Sequence, residues 1–470
     1  MKFFFETYGC QMNIAESAAL AIAAKERGWE EAPSPGEADL VLINTCSVRA
    51  TAEQRVLGRL AHYSAYKKKR AFSGGKGADG KSPPTLVLAG CMAERVGEEL
   101  KKEYPALDFT IGTQARWSFP LVLEAVEKGV LPPNLDAANS KSDIYDEKPV
   151  FKFSPLHLDG TSPYRSFVPI MHGCDNFCSY CIVPYVRGRE VSRDPASILE
   201  EIRLLSERGV REITLLGQNV NSYCWDGLGF PGLLELIARH LGDGVTGGIR
   251  WVRFLSSHPK DFSPDLIHVI AENPVFCRHI HLCVQHGSNR MLAAMNRRYT
   301  REQYLDLVFR LRTSLPDLSL STDFLVGFPG ETEDDFSEML SLMEEVKFLY
   351  AYMYHYNPRE GTAAFSLPGR ISAEVKKERL SRVIALQKRH TSELLKRRLG
   401  MEVDALIEGI SRKNADELVG RTGRDEMVVV PGRGDLVGSF ASLTLSSLSG
   451  NTFRCKKVPG TFLAPYKELK

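Results

Sequence analysis

Three cysteines in the run HGCDNFCSYC, at Cys174, Cys178 and Cys181, pose the chemical question. Their C-x3-C-x2-C spacing supplies three thiolates within eight residues. Soft thiolates at close spacing select Fe–S clusters or zinc. Three ligands from one loop leave a fourth metal position open, and an open position marks a site built for chemistry rather than scaffolding. The alternative is a zinc knuckle completed by His172. A structural zinc site usually pairs two C-x2-C halves, and no second half is present.

Three more cysteines repeat one placement along the first 110 or so residues. Lys2–Thr7, Asp39–Asn44 and Thr85–Ala89 read as short strands, each followed within one to three residues by a cysteine: Cys10 in YGCQMN, Cys46 in NTCSVR, Cys91 in GCMAER. A helical pattern follows each, the first opened by Asn13 with Glu16 three residues on, a capping-box arrangement. Strand–turn–helix in series implies a parallel sheet with helices on its faces. Ligands of such sheets sit outside the carboxyl ends of the strands. The three thiols are therefore expected to converge, although 36 and 45 residues separate them. Cys224, Cys277, Cys283 and Cys455 show no such pattern and read as buried packing residues.

The elements that position the first triplet come next. From Ser166 onward strands alternate with helices: Ser166–Met171, Arg211–Leu216, Trp251–Ser256, His279–Val284, Leu318–Leu325 and Tyr350–Tyr356. Asp194 and Pro195 mark one helix start, as cap and first helical residue. Six such units predict an incomplete (β/α)6 barrel with active residues on the loops after the strands. Cys174 follows the first strand directly. Polar clusters occupy other strand ends: Gln218 and Asn219 in GQNVNS, Ser257 in SSHP, Gln285 in QHGS, and Asp323 in STDFLVGFPGET. From Met401 short β-prone runs (Glu402–Ile407, Met427–Val430, Leu436–Leu445) alternate with glycine turns, predicting a small antiparallel β-barrel. The fold class is thus α/β, with a parallel N-terminal sheet domain, a partial barrel and a small C-terminal β-barrel.

At 470 residues, 43% hydrophobic and 25% charged, the chain is long enough for two or three ordinary globular domains. No run approaches the ~18 apolar residues of a membrane span. The start MKFFFETYGCQ turns polar too soon for a signal peptide. Ten cysteines without a secretory signal point to reduced thiols in the cytoplasm. A net charge of +2 is no nucleic-acid signature, but nine Lys/Arg against three Glu crowd a predicted helix between Ser372 and Gly400. Lys67–Arg70 form a second basic knot, opening a Gly-, Ser-, Lys- and Pro-rich loop that runs to Pro84.

Read together, YGCQMN, NTCSVR, GCMAER, HGCDNFCSYCIVPYVRGRE, LLGQNVNSY, STDFLVGFPGET and GRT resemble the radical S-adenosylmethionine (SAM) methylthiotransferases. YGCQMN leans toward the branch acting on N6-isopentenyladenosine in tRNA. The likeness covers nearly the whole chain: an N-terminal domain (1–130), a linker (131–160), a radical SAM barrel with its basic helix (161–400) and a TRAM domain (401–466). There are departures. LCVQHGS carries Cys283 and His286 where the family has Pro and Ser, YNPREGTAA has Glu360 in place of a second Pro, and the Lys67–Pro84 loop is long.

The resemblance implies two [4Fe–4S] clusters. One, on Cys174, Cys178 and Cys181, has a free iron that chelates SAM and releases a 5′-deoxyadenosyl radical to activate adenine C2. The other, on Cys10, Cys46 and Cys91, holds the sulfur to be inserted, and another SAM methylates it. Gln218, Asn219, Ser257, Gln285 and Asp323 become candidate SAM or substrate contacts. The target adenosine adjoins the tRNA anticodon, in a single-stranded loop where a base can be splayed into a pocket. Arg421, Arg424, Lys456 and Lys457 become candidate phosphate contacts. An electron donor such as flavodoxin or ferredoxin, a monomeric state and no membrane are implied as well. Two rivals remain. One is the same chemistry on threonylcarbamoyl-adenosine in tRNA or on a ribosomal-protein aspartate. The other is a non-enzymatic Fe–S protein that binds RNA or carries electrons, which calls for four cysteines per cluster rather than three.

Overall fold

The computed structural model describes residues 1–47, 50–72, 83–129, 162–242 and 248–462. The linker 131–160, positions 73–82 of the basic loop and the last residues of the C-terminal domain lie outside them. The chain forms two compact units: the residues up to 129 with His172–Asp175 and Cys181–Val191, and 162–171 with Asn176–Tyr180 and the chain from Ser192 on.

In the first unit, strands Lys2–Tyr8, Leu40–Thr45, Thr85–Gly90 and Phe109–Ile111 lie side by side in a parallel sheet, with Glu30–Glu31 at the edge. Side chains alternate across a strand, and both faces here are apolar. Leu40 and Leu42 join Phe3, Val87 and Phe119 on one side, while Val41 and Ile43 join Val56, Leu86 and Leu88 on the other. The register pairs Tyr8 with Thr45 and Thr45 with Gly90. Three neighbouring strands therefore end level, and a cysteine follows each. The first helix differs from expectation. It spans Gln11–Glu26 with Cys10 at its cap, and Asn13 accepts a hydrogen bond from the Cys10 N–H at 3.2 Å. Asn13 is thus the third helical residue of the capping box rather than its cap, with Cys10 three residues earlier as the cap, while Glu16 turns inward to Arg187 and Arg116.

In the second unit, Arg165–Pro169, Glu212–Leu216 and Trp251–Phe254 form one parallel ladder, and His279–His281, Ser319–Val326 and Tyr350–His355 another. Parallel bridges from Val252 to Phe276 and from Ser257 to Leu282 join the two. The result is six consecutive parallel strands around a core rich in Ile, Leu, Val and Phe. Asp194 caps helix Pro195–Glu207 as expected, accepting from the Ala196 and Ser197 N–H groups. The basic helix spans Ala373–Lys396. Part of its charge is neutralised: Arg379 pairs with Glu331, Arg382 with Glu333, and Arg389 with Glu344.

Glu402–Ile410, Glu417–Thr422, Met427–Pro431, Phe440–Ser449 and Thr452–Phe462 close into a barrel. Its pairings are antiparallel except Met427–Pro431 with Thr452–Phe462. This barrel packs on the amino ends of the central strands. Trp251 meets Phe440 edge-on at 4.8 Å, with Cys277 and Leu406 beside them. Arg253 donates to the Thr422 and Gly423 carbonyls at 2.7 and 3.2 Å. Arg165 joins Glu212 at 2.9 Å and Glu408 at 3.3 Å. Cys277 and Cys455 are buried as expected, but Cys224 is exposed.

Candidate cluster and cofactor sites

The three N-terminal thiols converge: Cys46 hydrogen-bonds to both Cys10 and Cys91. Those bonds, helped by the Arg187 guanidinium and opposed by burial, push Cys10 down to about 6 and Cys91 to about 7. The same bonds push Cys46 up. Arg187 is fully enclosed and pairs with buried Glu16 at 2.7 Å, and Arg116 meets the same carboxylate at 2.6 Å. Burial opposes ionisation of Glu16, but the two arginines hold its carboxyl below the usual range. An amide clasp fixes the loops: Asn13 Nδ2 donates to Asn44 Oδ1 at 3.1 Å, and Asn44 Nδ2 donates to Ser17 Oγ at 3.0 Å. Gly90, at φ +93°, precedes Cys91, and a Cβ there would collide with Asn44 Oδ1 and the Thr45 carbonyl. Three thiols, two of them ionised near neutral pH beside a buried cation, fit an anionic metal–thiolate group.

The second triplet is held locally. Cys174 N–H donates to the Gly188 carbonyl at 3.2 Å, within the first unit. In the second unit, Asn296 Nδ2 donates to the Phe177 carbonyl at 2.9 Å and Ser179 Oγ to the Ala294 carbonyl at 2.8 Å. Phe177 itself sits at φ +47°. Cys178 Sγ accepts from Arg297 Nη1 at 3.3 Å, and Arg297 Nη2 donates to the Cys283 carbonyl at 2.6 Å.

The strand-end polar residues have different fates. Asn219 is buried with Nδ2 on Asp261 at 2.8 Å, while its Oδ1 has no hydrogen-bond partner among the described residues. The same holds for Ser257 Oγ and His258 Nε2. A buried polar atom without a partner is costly, so these three atoms suit a polar ligand such as SAM. Gln285, at φ +69°, is knitted by backbone to Asp323 and Leu325. Ser256 holds φ +64°. Such strained residues cluster at ligand sites. Gln218 is half-buried at its strand end. Asp323 turns its carboxylate to His281 Nε2 at 3.5 Å.

The candidate RNA contacts divide. Arg421 is committed to Glu408 and Asp425, at 3.2 and 2.6 Å. Arg424 is committed to Asp317 at 2.8 Å and to Glu426. Arg421 is thus tied within the C-terminal barrel, whereas Arg424 reaches Asp317 of the central strands, so both candidate phosphate contacts are already ion-paired. Lys456 and Lys457 are exposed on the last strand. Lys67 lies on helix Ala50–Phe72 rather than in the expected loop, and binds Asp108 and the Ala106 carbonyl. Sequence reasoning missed Arg187, Glu16, Arg116 and Arg297. Arg187 lay in the quoted RGRE, but its role needs Glu16 folded against it. Among the described residues no helix is long and apolar enough to cross a membrane.

Family comparisons agree with this layout. The Radical SAM superfamily matches residues 168–343, the Uncharacterized protein family UPF0004 residues 2–112, and the TRAM domain residues 396–443. The fold is similar to the radical S-adenosylmethionine methyltransferase TsrM from Kitasatospora setae, solved with cobalamin and a [4Fe-4S] cluster (TM-score 0.56, 14% identity, 77% of each chain). It is also similar to the radical enzyme OxsB, with TM-score 0.52 and 11% identity over 82% of this chain and 56% of that one. The barrel with its cysteine loop, matched over residues 168–343, places the chain in the radical SAM class. The tRNA-2-methylthio-N(6)-dimethylallyladenosine synthase of Treponema denticola is 51% identical over 97% of this chain and 99% of its own. Those of Treponema pallidum and Porphyromonas gingivalis are 47% and 42% identical over 97% and 96% of this chain, covering 99% and 94% of their own. The chain belongs to the tRNA-2-methylthio-N(6)-dimethylallyladenosine synthase family.

Proposed function

We propose that this chain inserts sulfur at C2 of N6-isopentenyladenosine beside the tRNA anticodon and methylates it, as a radical SAM methylthiotransferase. The observation that carries this reading is the second set of converging thiols. One open cluster suffices to cleave SAM, whereas Cys10, Cys46 and Cys91 offer a separate place for the sulfur. Cys174, Cys178 and Cys181 would hold one [4Fe–4S] cluster and the N-terminal three the other. When bound, these groups supply the electron that cleaves SAM and a store of transferable sulfur.

The chain's own residues prepare both places. Arg187 offsets the thiolate charge at Cys10 and Cys91, and Glu16 fixes that guanidinium in place. Arg297 donates to Cys178, which tunes a cluster thiolate through its hydrogen bond. Asn219, Ser257, Gln285 and Gln218 would bind and orient SAM or the adenine. Lys456 and Lys457, with the exposed Lys377, Lys388, Lys396 and Arg397 of the basic helix, would take tRNA phosphates. A small electron donor such as flavodoxin or ferredoxin, a monomeric state and the cytoplasm complete the reading.

The test uses the full-length chain reconstituted anaerobically with iron and sulfide, then given SAM, a reductant and tRNA carrying isopentenyladenosine. Nucleoside mass analysis should find the 2-methylthio product. Product formed only on threonylcarbamoyl-adenosine tRNA or on ribosomal protein would replace the substrate. No product on any of them, with intact clusters, would overturn the reading.

A further inference from the structure

His281, Cys283 and Asp323 bring an imidazole nitrogen, a thiol sulfur and a carboxylate oxygen within 4.8 Å of one another. They stand at the carboxyl end of strand His279–His281 and within its neighbour Ser319–Val326. Cys283 is one of the departures from the family pattern, which has proline there. We propose that these three side chains form a mononuclear site for a borderline-soft divalent cation, zinc, distinct from both cysteine sets.

The donor chemistry fits. Zinc takes imidazole, thiolate and carboxylate ligands at roughly 2.0–2.3 Å in tetrahedral sites. From those lengths the ligand atoms should stand about 3.3–3.8 Å apart, so the widest pair needs to close by at most about 1.5 Å. Charge fits as well. A thiolate, a carboxylate and a neutral imidazole balance a divalent ion in a pocket where His281 is buried. On binding, the Cys283 thiol proton leaves to solvent as the Sγ–metal bond forms, and so does the proton that Cys283 and Asp323 hold on His281 against the pull of burial, with no change of oxidation state. Asp323 keeps 26% of its side chain exposed, which provides an entry path and leaves a fourth position for water or a ligand.

The imidazole is also already oriented. His281 Nδ1 meets Ser321 Oγ at 2.9 Å, and that hydroxyl meets His279 Nε2, also at 2.9 Å. His279 Nδ1 continues to Ser319 Oγ at 2.8 Å. Metal-bound histidines commonly fix their other ring nitrogen in this way. The same geometry argues against a Cys–His–Asp nucleophile. That arrangement needs the thiol at one ring nitrogen and the carboxylate at the other. Here Ser321 occupies Nδ1, and Asp323 lies on Nε2.

The test uses the holoprotein with both cysteine sets loaded with iron, exposed to zinc chloride without oxygen and then desalted. Wild type should retain one zinc per chain with iron content unchanged. Zinc-edge X-ray absorption should show one sulfur at about 2.3 Å and the remaining ligands nitrogen or oxygen at about 2.0–2.2 Å. Cys283→Ser should keep its iron but lose both the sulfur scatterer and stoichiometric zinc. Ser321→Ala should weaken zinc binding roughly 10–100-fold. Should Cys283→Ser fail to fold, His281→Gln carries the same expectation. Absence of zinc from wild type, a shell of two or more sulfurs, or zinc unchanged in these variants would each overturn the site. Because iron is counted separately, such failure would leave the two-cluster reading standing.

Discussion

The two cysteine sets solve one problem by opposite routes. Cys174, Cys178 and Cys181 lie within eight residues and are held by loop contacts such as Asn296 on Phe177 and Ser179 on Ala294. Cys10, Cys46 and Cys91 lie 36 and 45 residues apart and meet only because three parallel strands end in register. One site is a property of a short string, the other of a whole sheet. Damage to the sheet should therefore erase the second while sparing the first.

The largest effects come from the ligands. Cys178→Ala should lower iron from about eight to about four per chain and abolish 5′-deoxyadenosine formation. Cys46→Ala should lose a similar amount of iron yet still form 5′-deoxyadenosine, with no sulfur inserted. Loss of all iron in either variant would merge the two sites into one. Glycine strain should give the next largest effect. Gly90→Ala faces φ +93° and a collision with Asn44, and left-handed strain of this kind costs about 1–3 kcal/mol before the clash is added. It should empty the N-terminal set alone. Gly173→Ala, at φ +79° against the Arg189 carbonyl, should empty the other. If both variants lost the same cluster by iron and EPR analysis, the local-versus-distributed contrast would be wrong.

Polar clasps come third. Asn44→Ala removes three buried hydrogen-bonding roles, and leaving such partners unsatisfied costs about 1–3 kcal/mol. Chemical denaturation of the apoprotein should register that loss, whereas Asn296→Ala, whose clasp is only partly buried, should register less. The smallest effect is electrostatic. Cys10 ionises near pH 6 in the cluster-free chain, below an ordinary thiol, so its alkylation should already be near its plateau at pH 8. Arg187→Gln removes a positive charge that favours the thiolate. The inflection should then move to higher pH, and movement to lower pH would contradict the assignment.

Much of this was legible in the sequence. Three strands each ending in cysteine, the six barrel strands and the Asp194–Pro195 helix start all follow from local pattern. Their ends shifted by a few residues because ladder bonds, rather than propensity, decide where a strand stops. Glu417–Thr422 and Thr452–Phe462 went unread. They are amphipathic and interrupted by Gly and charge, and only closure of the barrel makes them strands. The ion pairs of Arg421 and Arg424 were hidden for a related reason. A basic turn looks the same in sequence whether it faces phosphate or Asp317. Cys283 read as packing because its partner Asp323 comes from the neighbouring strand, far along the chain.

The seam between the central strands and the closed barrel bears on how the chain is made. Residues 402–462 leave the ribosome after the central strands. Until they fold, Trp251, Cys277 and the Arg253–Glu212 pair lack the cover that Phe440, Leu406 and the Thr422 carbonyl later provide. A polypeptide cut short just after Gly400 would carry all six proposed cluster ligands yet display an apolar, charged wound. Exposed surface of this kind invites aggregation and capture by chaperones or proteases. Residues 402–462 thus close a surface that the central strands cannot cover by themselves.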